Sequence, residues 1–196
     1  VEGDVIKNSL EVFGYDYSSE KLNGIKDIFK NSNKLYAYRL NSGGSKASNA
    51  FCTAKYSGVR GNDLKVVIAA NVDVPSNFDV SVYLGTKVVV SQTVASAADL
   101  AENAWVVWKT DAELSITAGT PLTGGTNGTS DASSHQNFID KIESYPDVNA
   151  IGYAGNESNI KALYAAWVKY MRDEVGVKLQ AVLFGYTADH EAIVNV

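Results

Sequence analysis

Val148-Asn149-Ala150-Ile151-Gly152-Tyr153, the loop Ala154-Gly155-Asn156-Glu157 and the run from Ser158 onward decide the fold class. Val148 to Tyr153 reads as a strand. After it, Ile160, Leu163, Tyr164, Trp167, Val168 and Met171 fall at i, i+3, i+4, i+7, i+8 and i+11, the spacing that gathers apolar side chains into one stripe on an α-helix. Asn156 or Ser158 offers a cap at its start, Gly176 ends it, and Val177 to Phe184 supplies another strand. Strand, long helix, strand is a βαβ unit, whose two strands lie parallel. The expected class is therefore mixed α/β (α+β), with a βαβ-containing core.

Working outward, Ser130 or Asp131 can cap a helix carrying Phe138, Ile139 and Ile142, closed by Tyr145-Pro146 because proline disfavours αR in the residue before it. Near the start, Ser18 or Ser19 caps a helix with Leu22, Ile25, Ile28 and Phe29, and Asn31-Ser32-Asn33 stops it. The aromatic run Leu35 to Leu40 then reads as a strand. Between about Ala50 and Thr120 the texture becomes β-rich: Phe51–Tyr56, Leu64–Ala69, Phe78–Leu84, Lys87–Val94 and Trp105–Trp108 are strand candidates. Gly85-Thr86 reads as a two-residue hairpin turn, and Ser96–Asn103 as a short helix or helical turn. Two stretches rich in Gly, Ser, Thr and Asn, Asn41–Ser48 and Thr117–Ser134, bracket this section. The expected organisation is an α/β core domain of residues 1–49 and 120–196, interrupted by a β-rich inserted domain of residues 50–119.

Composition narrows the function classes. The 196 residues are 45% apolar, 20% charged and 10% aromatic, which is globular. A formal net charge of −5, with no run of Lys and Arg, argues against a nucleic-acid partner. No apolar stretch reaches the roughly 18 to 20 residues of a membrane span, since Asn71 and Asp73 interrupt even Val66–Val74. The single cysteine, Cys52, rules out an internal disulfide or a cysteine-based metal site, suits a reducing cytoplasm and reads as a packed thiol. The sequons at Asn127 and Asn156 are of a kind that arises by chance. The start at Val1 and the strand-like end at Asn195-Val196 both look like cuts, so a longer parent protein is expected.

Candidate chemistry is sparse. The Gly152–Glu157 loop lies where a dinucleotide fold holds its pyrophosphate, but Ala154 stands where that fingerprint needs glycine and Glu157 where it needs glycine or alanine. Glu157 instead gives the helix dipole an anion of its own. Gly119–Thr126 has the glycine separation of a phosphate-binding loop, with Gly125 where its lysine is required. Asp189-His190-Glu191 cannot converge on one ion, since consecutive side chains point apart, and His190 and His135 are both expected at the surface. Trp105 and Trp108 read as packing residues of the β-rich section. No nucleophile motif or acid–base pair is marked, so no catalytic, cofactor-binding or metal residue, no cofactor and no enzymatic activity is expected. The alternative is a small α/β ligand-binding or enzyme domain using the Gly152–Glu157 loop.

One family fits the ordered motifs. Leu35–Leu64, with Gly43-Gly44-Ser45-Lys46-Ala47-Ser48-Asn49-Ala50 followed by Ala54-Lys55-Tyr56-Ser57-Gly58-Val59-Arg60-Gly61-Asn62-Asp63-Leu64, resembles the contractile tail sheath proteins of phages and phage-like bacteriocins. So do Leu122-Thr123-Gly124-Gly125-Thr126-Asn127-Gly128 before a helix, and Asn149–Gly155 leading into Lys161–Trp167. The resemblance covers nearly the whole chain and implies the central fragment of a structural subunit. Such a subunit polymerises with other sheath subunits around a tail tube, is held extended by a baseplate, and contracts to drive the tube through the host envelope without consuming nucleotide. It further implies a place in the virion tail, assembled in the bacterial host cytoplasm. Family members are longer and join through extended arms that add strands to a neighbour's sheet, so the isolated fragment is expected to be monomeric or weakly associating.

Overall fold

Alternation of apolar residues in the middle of the chain builds an antiparallel sheet. In the computed structural model, which describes residues 1–196, β2 (Leu64–Ala70), β3 (Phe78–Leu84) and β4 (Lys87–Val94) pair in sequence, and β6 (Thr117–Pro121) adds on the far side of β2. The register opposes Leu64 to Leu84, Val66 to Val82 and Ile68 to Val80, so these six apolar side chains share the inner face. Burying Val66, Ile68, Val80 or Val82 in full contributes about 1.5 to 3 kcal/mol each. The turn between β3 and β4 is Gly85-Thr86, with Gly85 at φ 61° and Thr86 at negative φ. That pattern belongs to the hairpin turn that requires glycine in its first position only.

A second, two-stranded antiparallel ladder, β1 (Cys52–Ala54) with β5 (Val106–Trp108), contributes to the same core through Cys52, Ala54, Val106 and Trp108. Trp108 is buried and donates its indole N–H to the Ala101 carbonyl at 3.0 Å, while Trp105 packs at the core's edge. Both tryptophans are packing residues. Ala97–Asp99 forms a single helical turn capped by Ser96.

The N-terminal residues belong to this β-rich unit, which comprises residues 1–37 and 43–128. α1 (Glu2–Phe13), a helix absent from the sequence expectations, closes at Gly14, whose carbonyl accepts from Arg60 Nε at 2.8 Å. The Arg60 guanidinium also lies 4.7 Å from the Tyr15 ring centroid, and Leu10 packs on the core. A helical turn at Glu20–Leu22, capped by Ser19, leads into the short α2 (Asn23–Phe29).

The second unit, residues 38–42 and 129–196, holds the expected βαβ unit. β7 (Ala150–Tyr153), α4 (Ser158–Asp173) and β8 (Gln180–Leu183) form it, with β7 and β8 parallel from Ala150 opposite Gln180 to Tyr153 opposite Leu183. β9 (Ile193–Asn195) pairs parallel on the other side of β8. α4 buries Ile160, Tyr164, Trp167, Val168 and Met171 as its periodicity demands. α3 (Ala132–Ile142) packs beside it and is capped by Asp131, which accepts from the Ser134 amide at 2.9 Å.

Three expectations are corrected. Leu35–Leu40 forms no strand: aromatic content suits a strand, but a ladder needs a partner, and the bridge nearest this stretch is that of Ser42 to Thr129. Thr117–Pro121, read as soft connection, is an edge strand, the position that tolerates Gly119 and Pro121. The units divide near residues 42 and 128, rather than at 49/50 and 119/120, because Ser48 bridges to both Thr53 and Thr123 and so ties both flanks to the sheets. Residues 1–37 likewise fall in the β-rich unit rather than in the α/β core.

Candidate functional site

The two glycine-punctuated segments meet. Ser48 and Thr123 exchange backbone hydrogen bonds at 2.8 and 3.0 Å, and the Ser45 carbonyl accepts from the amides of Gly58 and Thr126. Two asparagines complete the arrangement. Asn62 Nδ2 donates to the Gly125 carbonyl at 2.9 Å while its Oδ1 accepts from the Gly125 amide at 2.8 Å. Asn127 Oδ1 accepts from the Val59 amide at 3.1 Å. A Cβ on Gly125 would stand 2.5 Å from the Gly58 carbonyl, and one on Gly44 would run into the backbone of Thr126 and Gly128. Residues 44–48, 58–62 and 123–127 thus form a three-segment clasp whose backbones approach too closely for side chains. The Asn62 side chain and Asn127 Oδ1 are spent within it, so it holds loops together.

The loop after β7 is also filled from within. Tyr153 donates its hydroxyl to the Glu157 carboxylate, and that bond, with help from the backbone amides of Glu157 and Asn156, holds Glu157 below the usual carboxylate range. Burial, reinforced by Glu157, pushes the Tyr153 hydroxyl up to about 12. Glu157 stands at the N-cap of α4, without capping an amide there, so neither Asn156 nor Ser158 is the cap. The Tyr153 hydroxyl and the Glu157 carboxylate lie against Gly155, where a Cβ would run into both.

His135 is buried, 5% exposed, which corrects its expected surface position. It lies on the inward side of α3, where Nδ1 and the Tyr164 hydroxyl share a hydrogen bond at 2.6 Å, and its ring stands edge-on to Tyr153 and Tyr164 at 5.4 and 5.5 Å. Helical spacing with Ile139 and Ile142 was the available signal. Burial, with Tyr153 nearby, pushes the Tyr164 hydroxyl up to about 12.

The remaining candidates disperse. Glu191 accepts from Arg172 Nε at 2.6 Å, which holds its carboxyl below the usual range, and His190 Nε2 faces Asp173 at 3.1 Å. No group of His, Cys, Asp and Glu is arranged to hold a metal. Cys52 is fully buried and burial pushes its thiol up to about 12, the inert kind. A cavity of about 240 Å³ between the end of α3 and α4 is lined mainly by Ile142, Tyr145, Pro146, Trp167, Met171 and Val177. Its one carboxylate, Glu143, accepts from the Trp167 indole at 2.8 Å.

Comparison with known proteins agrees with the clasp motifs. Residues 42–127, the clasp with the sheets between its segments, match the family described as the phage tail sheath protein beta-sandwich domain. Residues 42–127 are thus similar to a phage tail sheath domain. The sheath tail protein of Desulfitobacterium hafniense superposes with a TM-score of 0.89 and 34% identity, over 95% of this chain and 46% of that one. The sheath tail protein Lin1278 of Listeria innocua gives 0.82 and 30%, over 97% and 45%. Among curated relatives, YqbK, described as uncharacterized, and the phage-like element PBSX protein XkdK, both of Bacillus subtilis, are each 32% identical over 195 residues. Each match covers 88% of this chain and 42% of the relative. The chain therefore spans less than half the length of these relatives, and its similarity to the two sheath tail proteins extends over both units.

Proposed function

We propose that this chain is the central part of a contractile tail sheath subunit. Copies of the full-length protein polymerise around a tail tube, are held extended by a baseplate, and shorten to drive the tube through the envelope of a bacterial host. The subunit belongs to the virion tail of a phage or phage-like particle and is assembled in the host cytoplasm. The observation that carries the reading is the sheath domain at residues 42–127, joined to a second unit with the same fold as in solved sheath tail proteins. Work of this kind draws on a difference between two packings of one lattice, which calls for bistable contacts and no reaction centre. The filled loop after β7 and the self-satisfied clasp support the non-enzymatic reading.

The test is electron microscopy of the full-length protein expressed alone. Tubes or rings of constant diameter are the expected outcome. A protein that stays monomeric at every concentration and is stabilised thermally by a nucleotide or metal would overturn the proposal in favour of a ligand-binding domain.

A further inference from the structure

Asparagine followed by glycine occurs twice, at Asn23-Gly24 and Asn127-Gly128. In that dipeptide the glycine nitrogen can attack the asparagine side-chain carbon, because no side chain shields it and the glycine backbone turns freely. Both asparagines are exposed, so access to water does not separate them. Backbone conformation and hydrogen bonding do.

Asn23 opens α2 with φ −56° and ψ −43°. A helical backbone turns the next nitrogen away from the side-chain carbon, so attack there requires the helix to unwind. Asn127 lies instead in the irregular segment between β6 and α3. Its Oδ1 accepts from the Val59 amide at 3.1 Å, while its own Nδ2 and the Gly128 amide donate to no group of the chain. Three atoms thus have the state that ring closure needs. The oxygen that gains negative charge faces a fixed donor, the attacking nitrogen is unengaged, and the departing nitrogen is unheld.

We propose that Asn127 is a site of spontaneous covalent modification, deamidation through a cyclic imide, and that the modification opens the clasp. The Gly128 nitrogen gives up its proton to solvent base and bonds to Asn127 Cγ. The Cγ–Nδ2 bond breaks, and the side-chain nitrogen takes up a proton and leaves as ammonia. Water then adds to one imide carbonyl and yields aspartate, or adds to the other and yields isoaspartate; no electrons change hands. Isoaspartate routes the main chain through the former side chain and lengthens it by one methylene. That methylene has no room, because Gly44 lies so near that its Cβ would stand 2.7 Å from the Gly128 nitrogen and 3.0 Å from the Asn127 carbonyl carbon. Formation of isoaspartate therefore pushes residues 126–128 off Gly44.

The test is incubation of the folded full-length protein at neutral and mildly alkaline pH, followed by peptide mass spectrometry and labelling with an isoaspartyl methyltransferase. Asn127 is expected to convert at least about tenfold faster than Asn23 in the same molecules, and faster as pH rises. Val59→Pro removes the donor to Oδ1 at the first position of its helical turn, where proline is tolerated. It is expected to slow conversion at Asn127 and leave Asn23 unchanged. The isoaspartate form, separated by ion exchange, is expected to unfold at a lower urea concentration than the unmodified protein. Conversion at Asn127 no faster than at Asn23 would overturn the inference, and this comparison needs no variant. So would a folded Val59→Pro protein that converts as fast as wild type, or an isoaspartate form with unchanged unfolding. None of these readouts depends on polymerisation, so the sheath reading stands or falls separately.

Discussion

Asn62 and Gly125 are joined by two reciprocal hydrogen bonds, side-chain amide to carbonyl at 2.9 Å and backbone amide to side-chain oxygen at 2.8 Å, across 63 residues of sequence. The pair fastens the segment before β2 to the segment after β6, and so closes the β-rich unit where its chain enters and leaves the sheets.

Asn62→Ala leaves the amide and carbonyl of Gly125 without partners in a part-buried setting, and is expected to cost about 2 kcal/mol of stability. Gly125→Ala forces the Gly58 backbone to move and is expected to cost at least as much. Urea unfolding monitored by tryptophan fluorescence checks both. If the double variant is no less stable than the worse single one, the two act through one contact; full additivity would mean that they do not.

His135→Ala removes a buried ring that two tyrosines pack against and strips Tyr164 of its hydrogen-bond partner. The expected loss is about 2 to 4 kcal/mol. Tyr164→Phe deletes only the hydroxyl and is expected to cost about 1 kcal/mol. A surface histidine would give a change near zero in the first variant, so chemical denaturation distinguishes the two placements directly.

Stability is expected to fall on the alkaline side. Burial raises Cys52 from an ordinary value of 9.0, and Tyr153 and Tyr164 from 10.0, each to about 12. The folded chain therefore keeps protons that the unfolded chain releases. Their contribution is complete below about pH 9 and is lost as pH rises towards 12. Thermal melts from pH 8 to 12 should show a steady decline in Tm, and Cys52→Ala should reduce the slope most between pH 8 and 9, where the thiol is the earliest of the three groups to titrate in the unfolded chain. A Tm unchanged across that range would show that these groups are not shielded.

The sequence by itself determined the elements whose signal is local. The α4 stripe, the alternation in β2 and β3, the Gly85-Thr86 turn and a cap at Ser130 or Asp131 each depend on residues within one helical turn or one hairpin, so periodicity and turn chemistry suffice. The order of the glycine motifs pointed to the sheath family for the same reason. Only the tertiary structure decided which elements find partners. Leu35–Leu40 has strand chemistry without a ladder, Thr117–Pro121 has turn chemistry and becomes an edge strand, and α1 joins the β-rich unit through Arg60, 46 residues from Gly14. The clasp and the depth of His135 are decided in the same way, because burial and hydrogen bonding are set by residues far apart in the chain, and no local pattern encodes that distance.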